Sequence, residues 1–115
     1  MQIVILCLCA YALSDCTYAI QDIATVPAQP TYQQDVMPFL SDHCVLCHGS
    51  PPDRGAPSTF RLDVYDDPSG KVPGAAGMAN SSLYDIQIGR MPPGGGLGPN
   101  ALRMIQNWVN NGTPQ

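Results

Sequence analysis

The chain has 115 residues, room for one domain, and a net charge of −4 with only 12% charged residues. Its five basic residues (Arg54, Arg61, Lys71, Arg90 and Arg103) form no patch, which argues against a nucleic-acid binder. Twelve Pro and 11 Gly argue against long helices or a large sheet, and 44% hydrophobic residues is too apolar for simple disorder. So short and loop-rich a chain needs a staple: disulfides, a metal or a cofactor.

Residues 1–19, "MQIVILCLCAYALSDCTYA", read as an export signal. Ile3 to Leu13 is an apolar run of signal length, too short to span a bilayer, and Thr17-Tyr18-Ala19 offers a small-x-small cleavage site, although no Lys or Arg follows Met1. Cleavage after Ala19 removes Cys7, Cys9 and Cys16; a lipid on Cys16 is the alternative, which Asp15 disfavours. The exported chain then keeps two cysteines, Cys44 and Cys47.

Residues 20–34 form an extended, proline-punctuated lead-in, and the domain proper runs from 35 to 115. Its first helix is expected to start near Asp35 as N-cap, with Pro38 in the first turn, where a missing N–H costs nothing, and with Val36, Phe39 and Leu40 on one face. That helix delivers "CVLCH" (44–48) at its C-terminal end. Residues 49–80 are loop, with "FRLDV" (60–64) at most a very short strand; so long a loop suits a compact domain only if it wraps something that serves as its core. Ser82 caps a short helix, "LYDIQI" (83–88), stopped by Gly89. "RMPPGGGLGP" (90–99) cannot be regular structure. Asn100 caps the last helix, whose stripe is Leu102, Ile105, Trp108 and Val109 and whose end is marked by Gly112 and Pro114.

Three chemistries use two cysteines at this spacing. A structural zinc site needs four ligands, and beyond the knuckle with His43 and His48 the exported chain holds no Cys or His. A redox dithiol needs its first Cys at a helix N-terminus after a strand, whereas here an apolar helical segment precedes it; a disulfide would close too small a loop to stabilise much. C-x-x-C-H, by contrast, attaches a haem c: Cys44 and Cys47 form thioether bonds to its vinyl groups and His48 is the proximal iron ligand. His43, on the proximal side, reads as an exposed polar residue at the helix end. The second axial ligand must then be a methionine. Met37 and Met104 sit in helices as core filler. Met91, held by two following prolines, is the preferred ligand because prior immobilisation lowers the entropic cost of a weak Fe–S bond; Met78, in a flexible loop, is the runner-up. Arg61 and Arg90 are the guanidinium candidates for contacts with haem propionates.

The segments "DVMPFLSDHCVLCHG", "FRLDVYDD", "SSLYDIQIGRMPPGG" and "IQNWVNNG", in this order along nearly the whole exported chain, resemble class I c-type cytochromes, and among them the small planctomycete-type cytochrome c domain. The M-P-P after a short S-x-L helix and the W-V-x-x-G ending are more discriminating than C-x-x-C-H alone. The resemblance implies an all-α cytochrome c fold in which the first and last helices cross at Leu40 and Trp108, with the haem between them. It repeats the assignments of Cys44, Cys47, His48 and Met91. The expected function is periplasmic electron transfer by one haem, without catalysis, through transient contacts with redox partner proteins. The alternatives are an open-site haem protein that binds peroxide, NO or CO, and a haem relay subunit docked in a larger respiratory complex; membrane association would require a retained leader or a lipid on Cys16.

Overall fold

Pro38 shapes the first helix. It has no N–H, and in a regular helix its ring collides with the carbonyl four residues earlier. The computed structural model, which describes residues 21–94 and 96–115, shows the chain entering through a π-helical turn, Tyr32–Val36, before the α-helix Met37–His43 (α1). The N–H groups of Val36 and Met37 bond five residues back, to the Thr31 and Tyr32 carbonyls; a wide turn just ahead of a proline is one way to relieve that collision. The helical path therefore starts at Tyr32 and not near Asp35. Thr31 is the N-cap, its Oγ1 accepting from the Gln34 N–H (3.3 Å), while the Asp35 carboxylate accepts from the Thr31 N–H (2.9 Å). Two further orphan donors are satisfied from the other end of the sequence: the Tyr32 and Gln33 N–H groups donate to the carbonyls of Pro114 (2.8 Å) and Gln115 (3.2 Å).

After a break at Cys44 (φ −122°), a single turn, Val45–His48 (α2), carries the rest of the cysteine motif. Residues 49–78 are loop, and "FRLDV" forms no strand, the chain bending from Leu62 onward. Hydrogen bonds hold it in place: the Leu62 N–H donates to the His48 carbonyl (2.7 Å), and Arg61, Ala75 and Ala76 tie residues 61–65 to 73–76. Asp67 organises the turn beyond by accepting from the Ser69 hydroxyl and from the Lys71 and Val72 N–H groups. These bonds, the Ser69 hydroxyl first among them, hold its carboxyl down at about 2.

The third helix, Ala79–Gln87 (α3), starts four residues before the expected Leu83 and has no side-chain cap, so Ser82 lies inside it. Ala79 is buried in the core, and packing extends the helix where local signals would start it later. The last helix, Pro99–Asn110 (α4), buries Ala101, Met104, Ile105 and Trp108; Leu102 and Val109 are only half-buried. Asn100 is not its cap. Asp22 supplies that acceptor from the lead-in, Oδ1 receiving the Ala101 N–H at 2.8 Å, and the Asn100 amide instead donates to the Ile23 carbonyl (3.0 Å). At the other end, Gly112 (φ +83°) forms a Schellman turn: the Thr113 N–H reaches the Trp108 carbonyl (2.9 Å) and the Gly112 N–H the Val109 carbonyl (3.1 Å).

The architecture among the described residues is all-α, helix and loop with one isolated parallel bridge between Gln21 and Leu97 and no sheet. α4 packs on α3 and on the π turn, where Trp108 meets Tyr32 (ring centroids 6.2 Å apart), and Leu40 belongs to the same buried core. Of the expected extended lead-in, residues 32–34 belong to the π-helical turn, and residues 21–31, without helix or strand, are hydrogen-bonded to the body through Gln21, Asp22, Ile23 and Pro27. No helix among the described residues is long and apolar enough to cross a membrane. The leader 1–19, with Cys16, lies outside the described residues.

Candidate functional site

The knuckle is built by main-chain bonds before any side chain acts. The Cys44 N–H closes on the Leu40 carbonyl (2.8 Å), and the Cys47 and His48 N–H groups both reach back to the Cys44 carbonyl (3.2 and 3.0 Å). The Cys47 carbonyl accepts from Asp53, and that of His48 accepts from Leu62, so both flanks of the motif are fixed to the long loop. Cys44, Cys47 and His48 thereby line one wall of a mainly apolar cavity of about 260 Å³, partly open to solvent. Phe39 and Leu40 of α1, Phe60 and Leu62 of the loop, Ile86 of α3 and Ile105 of α4 complete its apolar lining.

Both thiols are unpaired. Burial, and then the neighbouring Cys47, push the Cys44 thiol up to about 11, so it stays protonated at neutral pH, the reverse of the depressed value a redox dithiol needs. The His48 ring lies nearly parallel to that of Phe60 (centroids 5.0 Å apart, 24° between planes). Burial lowers its pKa, which favours the neutral imidazole, and its Nδ1 is buried without a hydrogen-bond partner. His43 is half-buried, meets the Phe39 ring at a tilt (centroids 4.5 Å apart, 44° between planes) and lines the cavity, where the sequence suggested an exposed position. Among the described residues no three His, Cys or acidic side chains converge as a metal cluster.

Met91 lines the same cavity, with Pro92, Pro93 and Leu97 from the "RMPPGGGLGP" loop. The start of that loop is held by the Asp85 carbonyl, which accepts from the Arg90 N–H (2.9 Å) and the Met91 N–H (3.2 Å). Met78 also lines the cavity, so the fold brings both methionine candidates to the cysteine motif. Met104 is core, 2% exposed, whereas Met37 is exposed.

The two arginine candidates fare differently from expectation. Arg61 does not line the cavity; its guanidinium engages Asp63 through two nitrogens and Asp67 at 3.4 Å. Arg90 is exposed, lies outside the lining and pairs with Asp85 (2.9 Å), which itself lines the cavity. The arginine that does line the cavity is Arg54, an exposed residue that sequence reasoning passed over. The Asp53 N–H bond to Cys47 (3.0 Å) anchors its turn to the knuckle, and Arg54 (φ +51°) and Gly55 (φ +80°) reverse the chain there. The only signal in the sequence was the turn-forming "DRG" shortly after the motif.

No protein-family model matches this chain, and neither a curated protein nor a solved structure registers a match.

Proposed function

We propose that the chain is an exported electron carrier with a cytochrome c fold and one covalently bound haem c. The observation that carries this reading is that Cys44, Cys47, His48 and Met91, from two separate parts of the sequence, line a single apolar cavity. The residues present fit the group: two unpaired thiols for its vinyl carbons, an imidazole protected by burial, a thioether, and apolar walls with Arg54 available to its propionates. Bound there, the haem supplies a one-electron Fe(II)/Fe(III) couple. The chain's own part is to hold it through Cys44 and Cys47, to ligate with His48 and Met91, and to exclude water with Phe39, Leu40, Phe60 and Ile105. Met/His ligation and an apolar shell both raise the reduction potential. No substrate bond is made or broken, and the partners are redox proteins met through small transient interfaces.

Production alongside a c-type assembly system tests attachment. One haem mass should remain on the protein through acid–acetone extraction, and Cys44→Ser/Cys47→Ser together should abolish it. A wild-type chain that emerges without covalent haem contradicts the proposal. The partly open cavity favours one second reading, a site in which Met91 yields to CO, NO or peroxide.

A further inference from the structure

The loop that carries Met91 is tethered at both ends. Its start hangs on the Asp85 carbonyl, as described above. Its far end is gripped by the lead-in: Gln21 bridges Leu97, a cavity residue, and the Gln21 carbonyl accepts from the Gly98 N–H at 2.7 Å. Asp22 completes the grip, its Oδ1 accepting from the Ala101 N–H (2.8 Å) and from its own neighbour Ile23 (2.9 Å). The fit leaves no slack, because a Cβ at position 98 would collide with the Asp22 carboxyl group. Asn100 adds a further attachment, to the Ile23 carbonyl.

We propose that Asp22 is a positioning residue: by bonding the start of α4 and packing against Gly98, whose N–H the adjacent Gln21 carbonyl holds, it keeps in place the wall that carries Met91 and decides whether the site is closed or admits small ligands. The inference rests on the haem reading for its ligand consequences and on the polypeptide alone for its mechanics. A helix cap with no wider role would steady Ala101 and its immediate neighbours. A tether would also steady the other end of the loop, at the Met91 N–H, whose hydrogen bond goes to the Asp85 carbonyl and not to the lead-in. Exogenous ligands compete with Met91, so a looser wall lowers the fraction of time the thioether is in place and raises apparent ligand affinity.

The test compares wild type, Asp22→Ala and Asp22→Asn in the full chain matured with haem. Amide hydrogen exchange is read at Met91, Gly98 and Ala101, and CO uptake is read in the reduced protein. Asp22→Ala should speed exchange at all three amides about tenfold or more and bring measurable CO binding. Asp22→Asn keeps the acceptor oxygen and should behave as wild type. Gly98→Ala displaces the lead-in from the other side and should reproduce the Asp22→Ala result; it serves in its place if Asp22→Ala does not accumulate. Unchanged exchange at Met91 in a folded Asp22→Ala or Gly98→Ala protein overturns the tether, as does exchange that rises while CO uptake stays at the wild-type level. A wild-type chain without covalent haem would instead remove the haem reading, and the exchange comparison between the same chains would still decide the tether.

Discussion

Arg54 and Arg61 carry the same group and differ in what surrounds it. The Arg61 guanidinium is engaged by Asp63 and Asp67, which raises its pKa and leaves it little freedom to serve the cavity. Arg54 lines the cavity and forms no ion pair among the described residues. With the proposed haem bound in the cavity, replacing a cation that lines it by a neutral residue favours the oxidised, more positive state. Arg54→Leu is therefore expected to lower the reduction potential by tens of millivolts, on the order of one partly screened unit charge, while Arg61→Leu leaves it nearly unchanged and loosens the 61–72 loop. Direct voltammetry of the two variants measures this, and equal shifts would contradict the assignment. Local spacing marks Cys44, Cys47 and His48 as one unit, and the structure keeps all three on one cavity; the two prolines favoured Met91, but the fold brings Met78 to that cavity as well. Arg54 was not legible in the sequence, because its place depends on a bond from Asp53 to the Cys47 carbonyl that no spacing announces.

At the scale of elements, α4 was the most legible. Its amphipathic spacing and its Gly112 ending are local signals, and the structure closes it with the Schellman turn those signals imply. The starts of the helices were less legible because their partners are remote. Asp22 caps α4 across 79 residues, and Pro114 and Gln115 satisfy the opening donors of the first helix. Trp108 shows how strongly the ends are joined: it is 2% exposed, packs on Tyr32, and donates from Nε1 to the Pro114 carbonyl (3.0 Å), the acceptor that also receives the Tyr32 N–H. Trp108→Ala is expected to cost about 3–5 kcal/mol, and Trp108→Phe, which keeps most of the packing, should cost much less. Urea unfolding of the haem-loaded proteins checks both; a loss below about 0.5 kcal/mol for the alanine variant, the usual range of surface substitutions, would show that this junction is not part of the stabilising core.

For the molecule as a whole, the main problem is how so small a chain stays folded around a cavity. The buried core is a modest cluster centred on Tyr32, Val36, Met104 and Trp108, and the thirty-residue loop contributes Leu62 and Ala75 to it. Phe39, Leu40 and Ile105 belong to that core and also line the cavity, so a group that fills the cavity continues the core. In this account, the staple that composition demanded and the electron carrier that the motif suggested are the same haem. The long loop, improbable as a free segment, is then a wrapping held by Leu62 at the His48 carbonyl. The most direct test is the optical spectrum of the matured protein, oxidised and reduced, beside Met91→Ala and Met78→Ala. The account predicts sharp c-type bands on reduction and a weak far-red sulfur-to-iron band on oxidation, lost in Met91→Ala and kept in Met78→Ala. A haem protein without that band, or a band that survives Met91→Ala, would contradict His48/Met91 ligation and the closed electron carrier built on it.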